Sequence, residues 1–389
     1  MRNAARMTRT RKQAPEERGL RRSFVGAPPD TILFASVATL VAIGLVMIFS
    51  ASSALAYVET HDPAYFVKRQ FVWLIVGLFV SYFAYRMDYR KLKQWAPYLL
   101  VAAVLGLTVV LIHHVGIVVG GSRRWLGAGP LTMQPSEFAK LALVVYLAAM
   151  LSTRGDRIAS LVKGLAPLCV PPIVMALLVY KEPDMGTASL LVMTAFVMYF
   201  AAGARVAHLV GVLAVTLPPA AVAVLASTYL RARVMTFLDP WKDSQNHGFQ
   251  AVQSMLALGS GGLFGVGLGA SRAKFFYLPE QYTDFIFSVL GEELGLFGAL
   301  VVVVAFVTLA YRAIRIAIAA PDSFGFFLVV GCTATIVIQA FVNIGVVTSS
   351  WPLTGVPLPF VSFGGSSLVV NLIAIALILN VGRYRRVDA

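Results

Sequence analysis

Ten runs of about 20 mostly apolar residues, each long enough for a helix to cross the hydrocarbon core of a bilayer, dominate this chain. Only 13% of its residues are charged, whereas soluble proteins carry about 25%. The pattern predicts an all-α polytopic membrane protein, with residues 30–389 as a single ten-helix domain and a large extracytoplasmic loop, 228–283, between helices 7 and 8. The runs lie near residues 31–51, 70–87, 97–117, 134–152, 160–180, 186–203, 206–227, 284–311, 322–345 and 366–382.

Basic residues concentrate on one side of the predicted membrane. With the amino terminus inside, cytoplasmic segments hold 21 of the 32 Lys and Arg, outer segments hold ten, and Lys140 lies within a span. The positive-inside rule therefore predicts that both termini are cytoplasmic. Residues 1–29 lack hydrophobic periodicity and are predicted to form a disordered basic tail. The net charge of +14 then suits anionic lipid or a protein partner and not nucleic acid.

The stretch from Leu278 to Gly295 carries three carboxylates, Asp284, Glu292 and Glu293, at membrane depth. Helix geometry would place Glu292 roughly 80° from Asp284 and about 12 Å deeper, with Glu293 on the opposite face. Because acids at this depth are costly and usually functional, we predict that Asp284 is catalytic. The alternative is that Asp284 only caps the helix and that the two glutamates pair inside the bundle.

Two further polar features belong to helix starts. Glu137 and Lys140 are three residues apart on one helical face, so they can form a self-neutralising pair that only packs the bundle. Equally, Lys140 could set the orientation or pKa of Asp284. Asp184 follows a Pro-containing break and is predicted to cap the sixth helix, the alternative being a contact with a cation or a sugar hydroxyl.

The predicted outer segments supply candidate contacts for an anionic lipid-linked substrate, because they face a compartment without ATP. Taken alone, Trp125 is better explained as a membrane anchor, with a headgroup contact as the alternative. The glycine-rich stretch 259–269 could turn N–H groups toward a pyrophosphate or form a re-entrant hairpin packed on helices. The uncharged segment 349–368 is expected to line a wall. The predicted substrate contacts are Arg123, Trp125, Arg231, Arg233, Lys242, Arg272, Lys274 and Ser366.

Several motifs in order, GSRRW, QPSEFAKL, EPDMGTA, GLGASRAKFFYLPE, TDFIFSVLGEELG and LPFVSFGGSSL, resemble the shape, elongation, division and sporulation (SEDS) family of bacterial cell-wall proteins. The amino-acid sequences of these motifs are more similar to those of the division and sporulation members of the family than to those of the elongation members. The resemblance implies a multi-pass peptidoglycan glycosyltransferase of the bacterial cytoplasmic (inner) membrane that polymerises lipid II, an undecaprenyl-pyrophosphate-linked substrate, during cell division. It also implies a class B penicillin-binding transpeptidase and other division membrane proteins as partners.

The family's essential aspartate corresponds to Asp284, and the acid and base of its QPSE-x-x-K motif correspond to Glu137 and Lys140. This chain departs from the family pattern at three places. Tyr282 replaces the commoner His, Phe363 replaces the commoner Tyr, and Ser349 to Trp351 replace the more usual Gly-Leu-Leu. A histidine base beside the aspartate is therefore not required here.

The implied reaction is an inverting displacement that needs one base, for which we predict Asp284. Outer-loop cations would stabilise the departing pyrophosphate. No HExxH or CxxC spacing is present, the metal ligands are unknown, and whether a divalent ion, Mg²⁺ or Mn²⁺, assists stays open. The alternatives are a transporter (flippase) of lipid-linked precursor, with Asp284, Glu137 and Lys140 as a polar path, and a non-catalytic scaffold of the division machinery.

Overall fold

Twelve α-helices account for most of the described part of a computed structural model of the chain. The structure describes residues 28–119, 122–128, 131–246, 248–274 and 278–384, so the predicted tail lies outside it except for its last two residues. The helices are α1 (Thr31–Thr60), α2 (Tyr65–Arg86), α3 (Lys91–Val110), α4 (Pro135–Arg154), α5 (Ala166–Lys181), α6 (Met185–Ala201), α7 (Val206–Ala226), α8 (Thr228–Leu238), α9 (Phe249–Ser260), α10 (Ile286–Ile318), α11 (Ser323–Val347) and α12 (Gly365–Arg383).

Eight helices are long and apolar enough to cross a membrane, judged by length and composition within the described residues. Shorter apolar helices, Met185–Ala201 and Val206–Thr216, fall at the predicted sixth and seventh spans. The helical polytopic class is thereby confirmed, and the count of ten spans stays a prediction. The segment predicted as one large loop contains α8, a 3₁₀ turn at Pro240–Asp243 and α9.

A small antiparallel sheet, in the order β1–β2–β3, follows α3. Its strands are β1 (Ile117–Val119), β2 (Ser122–Ala128) and β3 (Leu131–Met133). The purely helical prediction did not include this sheet and extended the third span to residue 117, whereas α3 ends at Val110. The predicted span includes only Ile117 of the first strand. The run Ile117–Val119 consists of β-branched residues, which favour strands. The sheet fixes the positions of the cations on β2.

The centre of the bundle is formed by α11 and α12, most of whose residues are buried. Helix α12 packs on α2, α11 packs on α4, α6 and α10, and α1 packs on α10. At one end of the bundle, which we call the Asp30 face, Arg312 Nε donates to Asp30 Oδ2 over 3.0 Å. We call the opposite end, where α10 begins, the Asp284 face.

Helix α10 is interrupted at Gly295, whose φ is 67°. The glycine-rich segment 261–269 lies against this break and exchanges backbone hydrogen bonds with it. The N–H groups of Val266 and Gly267 donate to the carbonyls of Glu292 and Glu293 over 3.0 and 3.1 Å. In return, the N–H groups of Leu296 and Phe297 donate to the carbonyls of Gly262 and Leu263. Backbone groups at membrane depth must be satisfied internally, so this segment has the geometry of the packed re-entrant hairpin.

Alanine at Gly295 should destabilise the protein. An added Cβ would lie 2.3 Å from Gly265 N and 2.6 Å from Leu263 O, on a left-handed backbone. We expect a loss of about 2 kcal/mol or more, seen as a lower thermal unfolding midpoint in detergent. Gly259→Ala is the matched control, because a Cβ there meets nothing within 4 Å. Equal midpoints for the two variants would contradict the tight contact.

Candidate functional site

Asp284 lies in the turn that precedes α10, two residues before the helix begins. The sequence had placed it inside the helix, so the helical-angle argument does not apply to it. The cap position is Phe285, with no side-chain cap, which removes the helix-cap alternative. The carboxylate is half-buried and accepts no hydrogen bond from the described residues. The backbone carbonyl of Asp284 accepts from Asn343 Nδ2 over 2.7 Å. Its position is therefore fixed through the backbone.

The surroundings of Asp284 raise its proton affinity. Burial raises the pKa of Asp284 to about 7, and the carboxylates of Glu280 and Asp184 act in the same direction. The guanidinium groups of Arg124 and Arg233 oppose this rise. A carboxylate whose pKa lies near the working pH is well suited to accept a proton as a general base.

The uncharged segment between α11 and α12 lies beside Asp284, as expected for a wall. A Cβ on Gly355 would be 3.4 Å from Asp284 Oδ2, and the φ of Gly355 is 69°. Two side chains hold this wall in place: Arg233 Nη1 donates to Leu353 O over 2.6 Å, and Asn343 Nδ2 donates to Val356 O over 2.8 Å. Asn343 thus fixes both the wall and the backbone of the aspartate.

Arg124 reaches the turn between α5 and α6 from the sheet. Its Nε donates to Glu182 O over 3.1 Å, and its Nη2 donates to Pro183 O. Its Nη1 lies 3.8 Å from Asp184 Oδ2. Asp184 also accepts from Thr187 N over 2.9 Å, which is the cap predicted for this helix. Arg124 therefore places a cation within electrostatic reach of Asp284.

Glu137 and Lys140 form the buried ion pair expected from their spacing, with 2.9 Å between Oε1 and Nζ. The contact continues through α11, because Lys140 Nζ donates to Gln339 Oε1 over 2.6 Å. Gln339 Nε2 in turn donates to Pro357 O over 2.9 Å. The pair therefore supports the wall beside Asp284. Sequence reasoning missed Gln339 and Asn343, although two amides four residues apart in an apolar helix are a signal of buried polar contacts.

Glu292 and Glu293 anchor the chain segment that precedes the aspartate. Glu292 accepts from Arg272 N over 2.9 Å and from Ser271 Oγ. Glu293 accepts from Ser50 Oγ on α1 over 2.7 Å and from Ser271 N over 3.3 Å. Both glutamates have partners inside the bundle, and both accept from Ser271, so they do not face entirely different neighbours. Carboxylates with several donors of this kind serve as structural anchors.

Of the predicted substrate contacts, only Arg233 has a resolved electrostatic effect on Asp284. Lys274 is buried, 3.9 Å from Glu293, and Ser366 Oγ accepts from Gln134 N over 3.0 Å. Arg123 Nη2 is 3.1 Å from His113 Nδ1. Trp125 is partly buried in the sheet, and the others are exposed: Arg231, Lys242 and Arg272. A substrate contact by any of these eight residues stays a prediction. Arg124, which is not among the predicted substrate contacts, lowers the pKa of Asp284 as Arg233 does.

The two departures from the family pattern that flank the site pack together. The rings of Tyr282 and Phe363 are 5.7 Å apart, and both contact Phe66, at 4.6 and 5.3 Å. Phe363 N also donates to Tyr282 O over 2.9 Å. Burial raises the pKa of Tyr282 to about 12. The cluster therefore gives the turn an apolar support and offers no base.

These features define a polytopic membrane protein with a polar site, centred on one carboxylate, at one end of its helices. The profile of the cell cycle protein family, FTSW_RODA_SPOVE, matches residues 30–387, and the chain belongs to this family. The predicted SEDS membership is thereby confirmed.

Individual relatives can be aligned with this protein over nearly the whole chain. Stage V sporulation protein E of Bacillus subtilis (strain 168) is 44% identical, with 92% of this chain and 98% of the relative covered. A probable peptidoglycan glycosyltransferase FtsW of Trichlorobacter lovleyi is 42% identical, with 93% and 95% covered. Among solved structures, a chain from a study of how a peptidoglycan synthase complex coordinates polymerization and crosslinking is 32% identical, with a TM-score of 0.76 and 92% and 99% covered.

Proposed function

We propose that this protein is a peptidoglycan glycosyltransferase that polymerises lipid II into glycan strands during cell division. The observation that carries the proposal is Asp284: a fixed carboxylate without a hydrogen-bond donor among the described residues, with a pKa raised by burial to about 7. The family and the names of its relatives supply the reaction, and the site supplies a base suited to it.

In the proposed reaction, Asp284 accepts the proton of an acceptor sugar hydroxyl as its oxygen attacks the anomeric carbon of the donor. The new C–O bond forms while the bond to the lipid pyrophosphate breaks, and the leaving group departs with the electron pair. A single displacement converts the α linkage to β. General-base catalysis of this kind contributes about 10²- to 10⁴-fold. A pyrophosphate leaves without protonation, so no second catalytic carboxyl is needed.

The leaving group carries negative charge, which Arg124 and Arg233, the two cations that act on Asp284, would stabilise. Within the described ranges, no group of three or more His, Cys, Asp or Glu side chains is arranged to hold a metal ion. A contribution from Mg²⁺ or Mn²⁺ is testable by adding a chelator to the polymerisation assay.

The proposal also assigns an orientation and a partner. The Asp284 face would lie outside the bacterial cytoplasmic membrane, and both termini inside, as the distribution of Lys and Arg favours. The likeness to a chain of a polymerization and crosslinking complex supports a class B penicillin-binding transpeptidase as partner, with other division membrane proteins around it. A scaffold role is compatible with catalysis. A transporter is less favoured, because Glu137 and Lys140 neutralise each other and support the wall.

The test is incubation of the purified protein with labelled lipid II in detergent, where there is no second side to which a transporter could deliver it. We expect glycan polymer, and a rate that depends on pH. The base works when ionised, so below a pH of about 7 the rate should fall about tenfold per pH unit as Asp284 becomes protonated. Runs with and without the transpeptidase show whether the partner is needed. An absence of polymer in both would contradict the enzymatic function.

A further inference from the structure

Glu182, in the turn between α5 and α6, is a buried acid that the proposed mechanism does not use. Its side chain is fully buried, and neither carboxyl oxygen has a hydrogen-bond partner among the residues that the structure describes. Asp184, two residues further on, is by contrast occupied by Thr187 and Gln134. An ionised carboxylate buried without donors is strongly disfavoured, so the structure calls for a neutral acid at this position.

Among the described residues, two charged groups act on the Glu182 carboxyl: Asp184 from its own turn and Arg124 from β2. The guanidinium of Arg124 donates to the backbone carbonyls of Glu182 and Pro183 and not to the Glu182 carboxyl. Burial and then the repulsion of Asp184 raise the pKa of Glu182 to about 8, against the opposing effect of Arg124. The carboxyl is therefore protonated at neutral pH.

The same two neighbours, Asp184 and Arg124, also act on Asp284. With Glu182 neutral, their charges balance each other. Ionisation of Glu182 would leave Glu182, Asp184 and Arg124 together with a net negative charge, which would weaken the effect of Arg124 on Asp284 and on the expected pyrophosphate. The turn cannot move away easily, because a Cβ on Gly186 would lie 2.2 Å from Val356 Cγ2 and 2.7 Å from Thr354 O, in the wall that flanks Asp284.

We propose that Glu182 is a positioning residue of the polymerisation reaction: a neutral carboxylic acid that leaves Arg124 and Asp184 charge-balanced beside Asp284. This inference rests on the proposed function. Its consequence is a second limb in the pH dependence of the rate. Above a pH of about 8, the wild-type rate falls as Glu182 ionises, because the added negative charge repels the departing pyrophosphate.

Glu182→Gln tests the inference, because an amide is neutral at every pH and close in size to the acid. We expect its rate at pH 7 to lie within about twofold of wild type, and its rate above pH 8 to stay level where the wild-type rate declines. Glu59→Gln is the matched control, since Glu59 is exposed near the end of α1, and it should keep the decline. A more than tenfold loss at pH 7 in a folded Glu182→Gln protein, or an unchanged decline, would overturn the role.

A second measurement does not depend on activity. In the unfolded chain the acid ionises near its ordinary pKa of 4.5, whereas in the folded protein it holds its proton up to a pH of about 8. The unfolded state therefore binds fewer protons between these values, and wild-type stability falls as pH rises through this window. Between pH 5 and pH 8, the unfolding midpoint of Glu182→Gln should therefore rise relative to the unfolding midpoint of wild type. No gain would refute a neutral Glu182, whereas a gain without polymer from wild type would refute only the proposed function.

Discussion

Replacing Asp284 with asparagine lowers the rate of lipid II polymerisation by about 10²- to 10⁴-fold. The amide has nearly the same shape as the carboxylate but cannot accept the proton of the acceptor hydroxyl. Because the side chain has no hydrogen-bond donor among the described residues, the substitution breaks no contact with them and the fold is retained. The measurement is the initial rate with labelled lipid II, together with an unfolding midpoint that matches wild type.

Glu280→Gln provides the control for this result. Glu280 is exposed and accepts from Thr283 Oγ1 over 2.8 Å, and its charge raises the pKa of Asp284. Removal of this charge should leave the maximal rate within a few fold of the wild-type rate. It should also shift the low-pH decline of the rate to lower pH, because the pKa of Asp284 falls. If Asp284→Asn polymerised lipid II at the wild-type rate, Asp284 could not be the base.

Replacing Lys140 with methionine should damage both stability and activity. The change leaves the buried Glu137 carboxylate without its partner, a loss that costs about 3–5 kcal/mol where a buried pair is broken on one side. It also removes the donor to Gln339, which holds Pro357 of the wall beside Asp284. We expect a lower unfolding midpoint in detergent and a polymerisation rate reduced by at least about tenfold.

The double variant Glu137→Gln with Lys140→Met separates the two effects. It removes the uncompensated charge, so most of the lost stability should return. The rate should remain low, because Gln339 still lacks its donor. Recovery of the full rate together with stability would mean that the pair only packs the bundle, which was the other interpretation of its spacing. An unchanged midpoint in Lys140→Met would show that the ion pair contributes little.

The elements predicted from sequence are those governed by local patterns. Long apolar runs give the helices, and the spacing of Glu137 and Lys140 gives their ion pair. The cap formed by Asp184 follows from the Pro-containing break before it. Each of these depends on residues a few positions apart, whose relative geometry a helix dictates.

The remainder depends on contacts between distant parts of the chain. Arg124 meets the turn at Glu182 across 58 positions, and Asn343 meets Asp284 across 59. No periodicity encodes such a contact, because it depends on how the helices pack. The sheet was missed for a local reason: two of its strands, Ile117–Val119 and Leu131–Met133, are three residues long, which is too short for a periodic pattern to be recognised. The contacts of the two glutamates were not predicted because their donors lie in other parts of the chain, at Ser50 and in the segment 271–274.

The glycine break in α10 has a consequence for how the protein tolerates change. The part of α10 before the break, Ile286–Leu294, accepts backbone hydrogen bonds from Val266 and Gly267, so the aspartate is carried by a composite unit of two separate stretches of chain. An insertion or a bulky residue in the hairpin would tilt this unit and displace the carboxylate without touching it. The hairpin is therefore expected to resist changes in length, unlike most connections that lie outside helices.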